Sequence, residues 1–286
     1  MSDIRRDLRR LVGQTVDRLA ARYQPLLRAM VAAEVDRGVA AMRAETERLS
    51  HQLAEIEFRA RRDVNAAGER DAVLTSARFA QQYMSTVATF PHPDETLKYA
   101  LGLALPDGMA LEFGVYSGHT LRIIRDARKG TEIYGFDSFQ GLPEAWRPNI
   151  PAGAFHAPEV PEIDGAQLVV GWFDDSLPPF LAEHADPVTF LHVDCDLYSS
   201  TVTVLANAGP RLVPGSVIVF DEYWNYPGWQ DHEHRAWQEY VAASGTRFEY
   251  VAYSSNNEQV VVRVTGTATA DADSATERDG AAVAGN

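Results

Sequence analysis

The chain has one cysteine among its 286 residues, so it can form no internal disulfide, and cysteine-rich zinc centres are excluded. Long apolar runs are missing as well. No stretch approaches the roughly 18–20 uninterrupted apolar residues of a membrane span. The opening residues, Met1-Ser2-Asp3-Ile4-Arg5-Arg6, lead into a charged segment without an apolar signal core. The expected compartment is therefore the cytoplasm, with no stable membrane insertion. Basic charge is scarce: 26 Lys+Arg stand against 40 Asp+Glu, a net charge of −14. Phosphate backbones need a basic surface, so a general nucleic-acid binder is not expected. What is present is ordinary for a globular protein, with 45% apolar and 23% charged residues. The length suits one large domain, or a domain with an appendage.

The charge is unevenly spread. Residues 1–50 carry ten arginines and seven acids. From residue 12 to 56 apolar residues recur at Val12, Val16, Leu19, Tyr23, Leu26 and Met30, then at Val35, Val39 and Met42, then, with Thr46 holding the step, at Leu49, Leu53 and Ile56. This alternation of four and three predicts helix with a narrow apolar seam. The phase slips between Met30 and Val35, and Pro25 is expected to kink or restart the helix nearby. Such a seam suits a dimerisation arm or substrate lid, or equally an amphipathic helical pair packed on its own domain. At the other end, Thr265 to Asn286 is rich in Ala, Thr, Gly and Asp, with almost no large apolar residue. A segment of that kind cannot offset its ordering entropy, and a disordered tail is expected.

From about residue 93 short β-rich runs alternate with helical stretches. Strands are expected at Met109–Val115, Glu132–Asp137, Gln167–Trp172, Val188–Asp194 and Ser216–Asp221, with helices around Gly118–Arg128, Ser176–His184 and Ser200–Ala208. Two last strands, Arg247–Tyr253 and Glu258–Val264, flank a polar turn and read as a hairpin. Apolar strands separated by helices argue a parallel sheet covered on both faces. The expected fold is α/β, a doubly wound, mostly parallel, seven-stranded sheet with one antiparallel edge and an N-terminal helical extension. The expected divisions are a helical arm over 1–90, a catalytic domain over 91–264 and the tail over 265–286.

In open α/β sheets ligands bind beyond the carboxyl ends of the strands, and the chemistry-bearing residues cluster there. The first strand ends in Glu112-Phe113-Gly114-Val115-Tyr116-Ser117-Gly118. Its glycines allow a tight turn and close approach of backbone to ligand, although a plain strand-to-helix turn would look the same. The spacing differs from the dinucleotide pattern G-x-G-x-x-G. The second strand ends in Asp137-Ser138, about 20 residues on, where an acid can accept hydrogen bonds from a ribose diol or cap a helix. Together these two signals suggest a nucleoside-bearing ligand with no need for phosphate. Trp172 and Asp174 at the third rim could hold an adenine, or the segment could simply cap the next helix. The fourth and fifth strands end in Asp194-Cys195-Asp196 and Asp221-Glu222. Four carboxylates that close repel unless a proton or a cation sits among them, and such oxygen ligands suit Mg2+.

These motifs, with Gly141-Leu142-Pro143-Glu144 after the second strand and Leu197-Tyr198 after the fourth, resemble the macrocin O-methyltransferase family of class I S-adenosylmethionine-dependent, Rossmann-like enzymes. The resemblance runs from Leu111 to about Tyr240. It implies a Mg2+-dependent methyltransferase for sugar hydroxyls of natural products, with a saccharide or glycoside acceptor. By resemblance Asp194, Asp221 and Glu222 would ligate the metal, Asp196 would be the general base, and Asp137 would hold the ribose. Glu112, Gly114, Tyr116, Ser117, Gly118, Ser138, Trp172 and Asp174 would complete the surroundings of S-adenosylmethionine or S-adenosylhomocysteine. Two positions depart from the family: Glu222 stands where a second Asp is usual, and His119 where Gly is common. The proline-rich stretch Gly141 to Gly165 reads as an acceptor lid. Trp146, Tyr198, Trp224, Tyr226 and His232 are candidate acceptor contacts, the aromatics being equally suited to core packing. A catechol- or phenol-type methyltransferase and a non-catalytic cofactor-binding scaffold are the alternatives. A homo-oligomer built through the N-terminal helices is the expected assembly.

Overall fold

The structure is a computed structural model that describes residues 2–267, with side chains from residue 8. Most of the expected tail lies outside the described residues. The described chain divides into two compact units, one ending at residue 67 and the other beginning at residue 68.

The first unit is dominated by α1, Ser2–Arg62, which runs unbroken through Pro25. The helix does not restart there. Proline removes one backbone hydrogen bond, and an Ala-, Arg- and Leu-rich helix of 61 residues has enough neighbouring bonds to continue. Ion pairs one turn apart support it: Glu45 with Arg48 at 2.5 Å, and Glu57 with Arg61 at 2.6 Å. Asp63 ends it and starts the next helix, its Oδ1 accepting the N–H groups of Asn65 and Ala66 at 3.0 and 3.1 Å. The apolar seam is exposed, with Met42 at 72% and Leu53 at 66%.

The second unit is a sheet with helices on both faces. Its elements are the end of α2 (Val64–Tyr83), β1 (Ala88–Phe90), α3 (Pro93–Leu103), β2 (Met109–Phe113), α4 (His119–Ala127), β3 (Ile133–Asp137), β4 (Gln167–Val170), α5 (Phe173–Glu183), β5 (Val188–Val193), α6 (Tyr198–Ala208), β6 (Leu212–Phe220), α7 (Glu233–Ser244), β7 (Arg247–Ser254) and β8 (Val260–Gly266). The strand order is β1-β7-β8-β6-β5-β2-β3-β4. All neighbours are parallel except β8, which is antiparallel to both β6 and β7. The doubly wound, mostly parallel fold is as expected, with two corrections. The sheet has eight strands rather than seven, because the three-residue β1 adds to β7. The hairpin is also not the edge, since β8 lies between β6 and β7 and β1 covers the outer side. Three residues are too few to show a period in sequence, which is why β1 escaped notice.

Strands β2 and β5 are buried along their whole lengths, as expected for central parallel strands. They are neighbours, and the chain winds outward from them in both directions. The carboxyl ends of β2 and β5 therefore flank the point where strand order reverses, which is where such sheets bind ligands. On one face Phe113, Phe136 and Phe180 join Val204 and Trp237 in the larger core cluster. Leu121, Ile124, Phe190 and Val219 form the other. Residues 68–83 of α2 fold with this unit: Phe79 packs edge-on against Trp229 and Tyr250, and Ser76 Oγ accepts the N–H of Asn225 at 2.9 Å.

Candidate active site

The glycine turn after β2 is tied to the acid after β3. Asp137 Oδ2 accepts the N–H groups of Val115 and Tyr116 at 2.9 and 2.8 Å, and Oδ1 accepts that of Phe139 at 2.7 Å. Gly114, at φ +93, lies so close to β5 that an added Cβ would stand 1.6 Å from the Asp194 carbonyl oxygen. Glycine is thus required both for its backbone angle and for room.

Beside this turn lies a cavity of about 610 Å3, lined by Gly114, Tyr116, Asp137, Ser138, Trp172, Asp174, Asp194 and Asp196, with Phe155 from the lid. That is room for a nucleoside-sized ligand. Tyr116, Phe155 and Asp196 all hold positive φ, at 46°, 63° and 64°. Each such non-glycine residue costs about 1–3 kcal/mol, and here the three meet at one cavity.

Other sequence candidates lie elsewhere. Glu112 is fully buried within the sheet beneath the turn, bonded to His192. Ser117 turns outward, its carbonyl accepting a bond from Arg122 at 2.8 Å. Gly118 opens α4 at φ +77. Tyr198 donates to Glu239 at 2.5 Å and stacks with Arg235. Trp224 is buried against Tyr253. Tyr226 is buried too, its hydroxyl donating to the Glu222 carbonyl at 3.1 Å. His232 sits half-buried near the Tyr226 ring.

The lid is folded and fastened. Leu142 N–H donates to the Ala154 carbonyl, Gly153 N–H to the Leu142 carbonyl, and Ala157 N–H to the Phe139 carbonyl. Arg147 is the anchor. Its guanidinium lies between the Trp146 and Tyr226 rings, 3.7 and 3.5 Å from their centroids, and grips both oxygens of Glu258 at 3.0 and 2.5 Å. Glu144 accepts the Ser199 hydroxyl at 2.6 Å. Neither Arg147 nor Glu258 was visible as a site residue, because their partners are about 110 positions apart in the chain.

The carboxylates gather where β5 and β6 end. Ligand atoms of His192, Asp194 and Asp221 lie within 4.8 Å of one another, but both His192 nitrogens face carboxylates, Nδ1 that of Glu112 at 2.8 Å and Nε2 that of Asp221 at 3.5 Å, so of these three the oxygens of Asp194 and Asp221 are the ones left to face a cation. Burial and the charge of Asp221 hold both Asp194 and Glu222 well above the usual carboxylate range. Burial also pushes Asp196 up, against the pull of Arg147, to about 7. Burial acts upward on Asp221 too, but hydrogen bonds from His192 and Gln259 outweigh it and hold this acid down. Glu233, unnoticed in the sequence, is a further buried acid. It accepts the Glu222 N–H at 2.9 Å and is held well up by burial and by Asp221. Glu222 Oε2 is buried with no hydrogen-bond partner. A hard-oxygen donor set with mutual repulsion and an unpartnered buried carboxylate oxygen fits a divalent cation.

A family model described as a methyltransferase domain matches residues 111–223. Those residues carry the glycine turn, Asp137, the cavity wall and the acidic cluster. Among curated proteins, the chain is 27% identical over 192 residues to mycinamicin III 3''-O-methyltransferase of Micromonospora griseorubida, covering 53% of this chain and 74% of that one. It is 27% identical over 158 residues to the 8-demethyl-8-(2,3-dimethoxy-alpha-L-rhamnosyl)-tetracenomycin-C 4'-O-methyltransferase of Streptomyces olivaceus, covering 45% of this chain and 59% of the relative. Among solved structures, a calicheamicin methyltransferase aligns with a TM-score of 0.48 and 24% identity over 59% of this chain and 76% of that one. The present chain is thus similar in sequence to O-methyltransferases of natural products. Among the described residues no helix is long and apolar enough to cross a membrane.

Proposed function

We propose that the chain is an S-adenosylmethionine-dependent, Mg2+-dependent O-methyltransferase acting on a hydroxyl of a sugar or glycoside, in the manner of the macrocin O-methyltransferase family. One observation carries the reading: a nucleoside-sized cavity, walled by Gly114, Asp137 and Trp172, is continuous with the acids Asp194 and Asp196. The cofactor pocket and the deprotonating group are therefore side by side. The names of the two curated relatives, one specifying a 3''-O and the other a 4'-O position on a rhamnosyl compound, support a sugar acceptor.

When bound, S-adenosylmethionine would supply a methyl group already activated as a sulfonium, and a divalent cation held by Asp194, Asp221 and Glu222 would supply Lewis acidity to the acceptor hydroxyl. The protein's own part is alignment, exclusion of water and removal of one proton. Asp137 and Gly114 shape the pocket that fixes the cofactor. The lid, anchored by Arg147, lines the cavity with Leu142, Pro143 and Phe155 and excludes water. Such alignment can contribute up to roughly 7–11 kcal/mol. Asp196, with a pKa of about 7, is matched to proton transfer near neutral pH. Its left-handed backbone, φ 64, holds it at the cavity wall. The exposed apolar seam of α1 is read as the surface through which the chain forms a homo-oligomer, and the compartment as the cytoplasm.

Isothermal titration with S-adenosylmethionine, with and without Mg2+, tests the first half. A methyl-transfer screen over hexoses, deoxyhexosides and phenols tests the second. No heat with the cofactor sinks the reading. Methylation of phenols but not sugars replaces the acceptor class. Unchanged activity in Asp221→Ala removes the metal role.

A further inference from the structure

Asp221 is held at both carboxylate oxygens by residues the proposed reaction does not use. From one side Gln259, just before β8, donates its Nε2–H to Oδ2 at 3.0 Å. From the other, His192 on β5 brings Nε2 to 3.5 Å from Oδ1. The opposite nitrogen of that ring, Nδ1, is 2.8 Å from Glu112 Oε1 on β2. Glu112, His192 and Gln259 are buried, at 0%, 1% and 3% exposure. Glu112 and His192 are also direct partners in the register of β2 and β5. A chain of polar contacts therefore crosses β2, β5, β6 and β8 just below the acidic cluster, and it ends on one carboxylate. Four polar side chains in a sheet interior are costly to bury unless each is satisfied by another. Fold stability alone would be served as well by apolar residues there.

The direction of the contacts follows from the chemistry. Two carboxylates flank one imidazole, so the nitrogen facing Asp221 carries a hydrogen, whether Glu112 is charged or protonated. Oδ2 of Asp221 then accepts the Gln259 hydrogen bond, and Oδ1 faces the His192 N–H at the longer distance of 3.5 Å. The carboxylate plane is fixed, and each oxygen keeps a free lone pair. We propose that Glu112, His192 and Gln259 are positioning residues that preset Asp221 for the divalent cation, so that cation affinity depends on groups that never touch the cation. Partners of this kind typically govern metal affinity by about 10–100-fold. The inference rests on the metal-dependent reading above and extends it to a specific support.

Mn2+, which has a paramagnetic signal that is lost on binding, is the probe, titrated into the full-length chain and followed by electron paramagnetic resonance. Gln259→Met removes one donor with no change of charge or bulk. His192→Asn keeps the nitrogen facing Glu112 but cannot reach Asp221, whereas His192→Gln places its amide nitrogen near the lost Nε2. Gln259→Met and His192→Asn are expected to weaken Mn2+ binding by about 10–100-fold, and His192→Gln to restore most of it. Affinity for S-adenosylhomocysteine, whose cavity none of these residues lines, stays at the wild-type value and reports that the fold is intact. If wild-type protein binds Mn2+ and the first two variants bind it as tightly, the inference is overturned and the proposed function stands. A rise in affinity for His192→Asn also overturns it, since His192 would then act as a competing positive charge. Failure of the wild type to bind Mn2+ overturns the metal-dependent reading, and this inference with it. Should His192→Asn fail to fold, Gln259→Met decides.

Discussion

Replacing Asp196 by Asn should stabilise the metal-free protein at pH 8 while abolishing methyl transfer. Asp196 has its pKa raised from 3.8 to about 7, burial being the largest cause and the repulsion of Asp221 a further one. A carboxyl that binds its proton more tightly when folded makes folding less favourable as pH rises. The penalty is absent below about pH 4, grows between pH 4 and 7, and is complete above 7. A displacement of about three pH units corresponds to a ceiling of about 4 kcal/mol. Neighbouring acids share the proton, and Asp196 reaches the cavity, so about 1–3 kcal/mol is the expected gain. Asparagine has nearly the same shape, tolerates the left-handed backbone at φ 64, and carries no charge at either pH. For a unit of this size the gain is a rise in melting temperature of roughly 3–10 °C at pH 8, vanishing near pH 4. Activity should fall by about 10²–10⁴-fold if Asp196 takes the proton. The assay is calorimetric melting of both proteins, with chelator, at pH 4 and 8, beside single-turnover transfer. Equal melting temperatures at pH 8 would refute the charge argument. A gain of the same size at both pH values would assign it to packing.

Gly114→Ala places a methyl 1.6 Å from the Asp194 carbonyl oxygen and should cost more than about 4 kcal/mol. A melting temperature within 2 °C of wild type would show that β2 and β5 are not so closely apposed. Asp137→Ala leaves the N–H groups of Val115, Tyr116 and Phe139 without their acceptor, at about 1–3 kcal/mol for each that stays buried. Titration with S-adenosylhomocysteine should then give no measurable heat, and retained binding would remove Asp137 from the cofactor site. Arg147→Met strips the lid of its two ring contacts and leaves Glu258 unpaired. The expected result is faster proteolysis within 141–165 and a higher KM for the acceptor, with cofactor affinity kept. An unchanged proteolysis rate would mean that the lid is held elsewhere. Deleting residues 1–62 should lower the mass found by sedimentation to that of one chain, and an unchanged subunit number would place the interface outside α1.

The elements most legible in the sequence were those with a strong local signal. β2 and β5 with their following helices, and β3, start and stop within a few residues of expectation, because an apolar run ending in glycine or a carboxylate leaves little alternative. The failures have equally local causes. β1 is too short for a period, and α7 begins among histidines and acids that resemble a loop. Pro25 is a strong breaker in isolation, but a 61-residue helix carries on past it. Among the residues that line the cavity or join the acidic group, Gly114, Asp137, Asp194, Asp196 and Asp221 were legible as candidates because each stands at a strand's end. Trp224 was not separable from a binding aromatic by residue type, since packing and stacking use the same rings.

The sequence by itself determined the alternation of strand and helix, and hence that the ends of parallel strands would bear the chemistry. It also determined the residue types available there, acids and glycines rather than cysteines or a basic surface. Only the tertiary structure decided which acids share one volume, and therefore which are held above and which below the usual carboxylate range. It alone paired Arg147 with Glu258, and aligned Glu112, His192, Asp221 and Gln259 across four strands. Local pattern is fixed within a few residues by backbone geometry. A buried charge takes its properties from whatever the fold brings within about 5 Å, however distant in the chain.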